Sequence, residues 1–182
     1  MLLLDAVLDL AGAPRLTDEE RASYRHRLDV QWTTLEAGRV YNAANANDVE
    51  STELVRRALQ ADAPEPFQPL LYFRADRPSR TRAFVEYLDW LAGQGFVEQV
   101  RVLGAHRSVV ERRLTVPVVA HDERSDPPAA VLDAALADGW PVVVMGNVVP
   151  DYMQELSAEI ERRAAATVAE TDADEPAVHP AE

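Results

Sequence analysis

The chain has no cysteine and no lysine. Without cysteine it can form no disulfide, thiolate metal site or cysteine nucleophile, a composition that fits a reducing cytoplasm. Without lysine it cannot build a Gly-x-x-Gly-Lys-Thr or Ser phosphate loop, and its seven glycines are too scattered to open a helix on a Gly-rich turn. Positive charge is scarce. Eighteen basic residues, all arginine, face 31 acidic ones and leave a formal net charge of −13. That balance argues against general binding to nucleic acid or anionic membranes. Long apolar runs are missing too. Met1-Leu-Leu-Leu-Asp5 has no basic flank and breaks at Asp5, so it reads as neither a signal peptide nor a membrane span.

What remains is ordinary material for a globular fold. The chain has 182 residues, 47% hydrophobic and 27% charged, enough for one domain with some appended segments. Leu2, Leu3, Ala6, Val7 and Leu10 share a helical face that ends at Gly12. Thr17 and Glu20 form a capping-box signal for a second helix carrying Tyr24, Leu28 and Trp32. From Arg39 onward, short apolar runs alternate with amphipathic stretches. Strands are expected at Arg39–Asn42, at Leu70–Phe73, at Val100–Leu103, at Val116–Ala120 with Pro117 marking an edge, and at Pro141–Met145. The intervening helices include one capped by Asp48 or Ser51 with Leu54, Val55, Ala58 and Leu59 on its apolar face. The last helix starts near Asp151 and carries Met153, Leu156 and Ile160. From Ala164 the sequence loses its apolar stripe and reads as frayed or disordered. The alternation predicts an α/β fold, a mainly parallel sheet flanked by helices and preceded by a short helical segment over residues 1–38. Residues 39–165 form the sheet domain, and residues 166–182 an acidic tail.

One stretch concentrates the scarce cations. Arg74, Arg77, Arg80 and Arg82, with Asp76 among them, follow the Leu70–Phe73 run and enter a helix announced by Pro78 and Ser79. In an open parallel sheet such a turn lies at the carboxyl ends of the strands, where ligands bind. Guanidinium groups there suit carboxylates or phosphates, which they grip with paired hydrogen bonds. Asp76 is open to a second reading, an ion-pair partner that holds the arginines in place. Upstream, Asn42, Asn45 and Asn47 can build a turn on their own account, since asparagine bonds its own backbone.

Arg74-Ala-Asp76-Arg77-x-x-Arg80-Thr81-Arg82 resembles the Arg-x-Asp-Arg-x-x-Arg-Thr signature of the poly-γ-glutamate synthase ligase subunit, a Mur ligase-like amide ligase. Asn42-Ala-Ala-Asn45-Ala-Asn47-Asp48-Val49-Glu50-Ser51-Thr52 is similar to that family's Asn-x-x-Ala-Ala-Asn-Asp-Pro-Glu-Ser-Thr. Val49 stands where the family has proline, and Phe73 replaces a cysteine. The resemblance covers about residues 36–165 and only the C-terminal domain of such a ligase. It implies a Rossmann-like domain contacting substrate through Arg74, Arg77 and Arg80, and nucleotide through Asn45, Asn47 and Asp48, with no catalytic residue or metal ligand of its own. It implies ATP and Mg for the complete ligase, and none held stably by this chain. It places residues 1–38 with the end of a central, ATP-binding domain. The partners it implies are that ATP-binding portion or a complementary subunit and an anionic small molecule or polyglutamate. It also admits a membrane-bound synthase partner for a cytoplasmic chain. Two rivals stay open: a stand-alone module binding a nucleotide or anionic peptide without catalysis, and a remnant that keeps the fold alone. His26, His106, His121 and His179 are too dispersed for a metal site, and His121-Asp122-Glu123 reads more simply as a solvated loop than as a ligand set. No nucleophile-elbow motif accompanies Ser108 or Ser125.

Overall fold

Apolar residues in each interior strand point alternately to two helical layers. In the computed structural model, which describes Thr17, residues 30–60 and residues 65–173, a six-stranded sheet is ordered β1-β2-β6-β3-β4-β5. The strands are β1 (Thr33–Leu35), β2 (Gly38–Asn42), β3 (Gln68–Phe73), β4 (Val100–Gly104), β5 (Val118–Ala120) and β6 (Val142–Met145). Strands β2 to β6 are mutually parallel where they pair, and β1 joins β2 as an antiparallel hairpin edge. Among the described residues there are five helices: α1 (Val49–Leu59), α2 (Pro78–Gly93), α3 (Arg107–Arg113), α4 (Pro128–Leu136) and α5 (Asp151–Ala173). None is long and apolar enough to cross a membrane.

The period of two along each strand sorts the core. Leu71, Val102, Val143 and Met145 join Phe84, Leu88 and Leu91 of α2 and Val110 of α3, while Val49, Val55 and Leu59 of α1 pack against the same cluster. Leu70, Leu103, Val142 and Val144 join Val131 and Leu132 of α4 and Met153 and Leu156 of α5 on the other face. The fold is therefore an α/β sandwich of Rossmann-like type. Val40, Leu71, Val102 and Val143 lie on the four interior strands and are all buried. Strand β5 is an edge, next to Pro117.

The structure corrects several boundaries. The sheet begins at Thr33, so Trp32 precedes a strand and the Arg39 guanidinium lies over its ring at 5.6 Å. Strand β3 starts at Gln68, whose amide donates to Pro141 O (2.8 Å), two residues earlier than its apolar run. On α1, Leu54 is 68% exposed and Ala58 is exposed, whereas Thr52 and Arg56 are buried. Arg56 turns inward because its guanidinium lies over Phe96 at 4.5 Å, donates to Gln60 Oε1 and pairs with Glu53. Helix α5 continues past Ala164 to Ala173. Alanine is the best helix former, and Glu159 pairs with Arg162 and Arg163 one turn on, so a helix persists without an apolar stripe. The helices expected over Leu2–Leu10 and after Thr17, and the tail from residue 174, fall outside the described residues.

Candidate functional site

Strands β2, β6 and β3 are consecutive in the sheet, so the polar turns at their carboxyl ends share one rim. The rim is built on close backbone approaches. Gly146 ends β6 with φ +112°, and a Cβ there would sit 2.8 Å from Tyr72 O. Gly104 ends β4 with φ +76°, and a Cβ there would meet Phe73 O at 2.4 Å. Glycine alone lets both neighbours close on the end of β3.

Beyond Phe73 the chain turns, with Arg77 N donating to Arg74 O (3.3 Å), and enters α2 at Pro78. Proline at the first helical position gives up an N–H that the helix could not have used. No side chain caps this terminus, and its dipole favours an anion. Arg74, Arg77 and Arg80 all line one shallow depression with Tyr72, Phe84 and Asn147, which leaves about 10 Å³, room for little more than a water. Arg77 and Arg80 also face a larger groove of about 370 Å³ towards α1, shared with Asn47, Asp48, Glu50 and Ser79. The two arginines form the ridge between these spaces.

The three arginines are not equivalent. Arg74 donates through Nε and Nη2 to both carboxylate oxygens of Asp76 (2.8 and 2.7 Å), so the ion-pair reading of Asp76 holds for this arginine. Arg77 Nε lies 3.7 Å from the same carboxylate. The Arg74 hydrogen bonds, then the charges of Arg74 and Arg77, hold the Asp76 carboxyl below its usual range. Among the described residues the Arg80 side chain makes no hydrogen bond or ion pair. An incoming carboxylate would compete with Asp76 at Arg74, whereas at Arg80 it would displace no bonded partner and meet only the charge of Asp48 across the groove.

The asparagine turn divides similarly. Asn42 accepts from Ala44 N (3.1 Å) and donates to Ser157 Oγ (2.7 Å), which ties the turn to α5. Asn45 is exposed and lines neither space, whereas Asn47 and Asp48 line the larger groove. Asp48 is the N-cap of α1, accepting from Ser51 N (2.8 Å) and Ser51 Oγ (3.0 Å). Those bonds lower its carboxyl from the usual range, with a smaller contribution from the Arg80 charge. Glu53 fixes α1 against α2 by accepting from Arg56, Arg57 and Tyr87, and these bonds pull its carboxyl down to about 2.

Sequence reasoning did not single out Tyr72, Phe84 or Glu50 for this rim. Tyr72 donates to Glu123 Oε2 (2.6 Å), and burial, then this bond, pushes its phenol up to about 12. Its place just before Phe73 on a strand was the available signal. No group of three His, Asp or Glu is placed to hold a metal ion among the described residues. His121 instead packs against Arg101 and Asp126. The rim can therefore position anionic groups with guanidinium and helix-terminal donors, and it offers acidic and amide acceptors on its α1 side.

Compared with known families, residues 30–163 match the one described as the poly-gamma-glutamate synthase CapB C-terminal domain. No curated protein matches the chain.

Proposed function

Because the chain belongs to the poly-gamma-glutamate synthase CapB C-terminal domain family, we propose that its arginine rim positions the carboxylates of a γ-linked glutamate substrate for an ATP-dependent amide ligase. The observation that carries this reading is the convergence of Arg74, Arg77 and Arg80 at the end of β3, beside the ends of β6 and β2. Arg80 and Arg77 are the primary contacts, and Arg74 joins them when a carboxylate displaces Asp76. Asn47 and Asp48 stand on the nucleotide side of the same rim. Asn45 would reach a nucleotide only from outside that groove.

ATP with Mg, held by the ATP-binding portion of the synthase, supplies the phosphoryl group that activates a carboxylate. Among the described residues no group of three His, Asp or Glu is placed to hold a metal ion, and the part proposed for this chain is electrostatic positioning in an otherwise acidic protein. The partners are that ATP-binding portion and an anionic substrate. A membrane-bound synthase subunit is a further partner in the proposal, which places the chain in the cytoplasm beside the membrane.

Calorimetric titration of the chain with a γ-linked glutamate dimer tests the reading. Arg80→Ala and Arg77→Ala should each weaken binding about tenfold, since a charge-assisted hydrogen bond contributes roughly 1.5–3 kcal/mol. Lysine at either position should restore it only in part. Tight ATP binding with no response to the dimer would favour the non-catalytic nucleotide module instead.

A further inference from the structure

We propose that the groove between α2 and α3 continues the rim and holds the distal units of a γ-linked glutamate chain. The inference rests on reading the rim as a carboxylate site. The groove has a volume of about 210 Å³ and shares Thr81 with the arginine depression, so the two lie side by side at the start of α2.

Its lining suits that polymer. The chain alternates methylene groups and an amide with one free carboxylate per unit. It needs an apolar strip flanked by spaced cations. Val85 of α2 and Val109 of α3 supply the strip, with Arg82 and Arg113 on the walls. Glu86 also lines the groove and offers an acceptor for a backbone amide N–H of the polymer.

The cations are uncommitted. Among the described residues the side chains of Arg82 and Arg113 make no hydrogen bond or ion pair, although acidic residues outnumber basic ones in the chain as a whole. Arg39, Arg56, Arg101, Arg162 and Arg163 each engage a carboxylate. His106 at the groove is the one described non-glycine residue with positive φ (62°), and its Nε2 is buried without a partner. Strain and an unmet polar atom in one lining residue are features that cluster at ligand sites.

Titration of the full chain with γ-linked glutamate dimer and pentamer, and with an α-linked pentamer, tests the proposal. The γ-pentamer should bind about tenfold tighter than the dimer through added carboxylate contacts, and the α-linked pentamer should lack that advantage. The double variant Arg82→Ala/Arg113→Ala should erase the advantage and leave dimer affinity unchanged. Arg112→Ala, a neighbouring exposed arginine outside the groove, controls for loss of charge and should keep it. Equal binding of dimer and γ-pentamer, or an advantage that survives the double variant, overturns the extended track while the rim reading stands. No binding of either γ-oligomer overturns both.

Discussion

Replacing Arg101 by methionine should destabilise the protein by about 2–4 kcal/mol while leaving the rim intact. The Arg101 side chain is 8% exposed and lies on the face of β4 covered by α4. It donates to Gln68 Oε1 (3.0 Å), His121 Nε2 (3.0 Å), Ala134 O (2.8 Å) and Asp138 Oδ2 (2.7 Å). Removing one member of a buried ion pair costs about 3–5 kcal/mol when the other charge is stranded. Asp138 is not stranded, because it is 30% exposed and keeps the Gln68 and Gln99 amide donors (2.7 and 2.8 Å). The larger share falls on Gln68 Oε1 and His121 Nε2, both in buried residues and both left without this donor, at about 1–3 kcal/mol each. Methionine fills part of the space and recovers some apolar burial, which brings the net below the simple sum. For a chain of this size the midpoint of thermal unfolding should fall by roughly 5–15 °C. Urea and thermal unfolding measure the loss, and a double-mutant cycle with Asp138→Asn isolates the pair. A change below about 0.5 kcal/mol would refute the account of this network.

The same network sets a pH dependence. Burial, then the Arg101 charge, holds His121 below its ordinary value of 6.5, so the unfolded chain takes up the proton first as pH falls. Stability should therefore decline on acidification through that range, and His121→Gln should flatten the decline; an unchanged slope contradicts it. Gly146→Ala should cost about 2 kcal/mol or more, because φ +112° and the 2.8 Å approach to Tyr72 O leave no room for a Cβ, and a wild-type melt would contradict the packing described. With ATP, magnesium and glutamate the isolated chain should release no phosphate, since its sequence has no phosphate loop. Turnover abolished by Arg77→Ala would overturn that expectation.

The interior strands were legible because burial on both faces writes continuous apolar runs such as Val142–Met145. Asp48 as a cap and Pro78 as a helix start were legible because local hydrogen bonding and a fixed φ decide them. Strand β1 was not legible. Three residues carry too little pattern, and its stability comes from pairing with β2. The buried face of α1 was misread because apolarity pointed to Leu54, while a stacked and paired Arg56 took the inner position. At the rim, the clustering of Arg74, Arg77 and Arg80 after a strand was enough to bring them together. Their division into a paired Arg74 and an unengaged Arg80 depends on side-chain geometry that spacing does not encode. The separation of Asn45 from Asn47 is likewise a matter of which way a turn faces.

The most direct measurement follows the arginine Nε–H resonances of the isotopically labelled chain during titration with a γ-linked glutamate dimer. The absence of lysine leaves arginine as the only permanently cationic side chain available to hold a carboxylate. Saturable shifts at Arg80 and Arg77, followed by Arg74 as its bond to Asp76 gives way, are the predicted result. Shifts confined to arginines outside the rim, or none at concentrations that saturate binding, would contradict the assignment of this rim as the substrate carboxylate site.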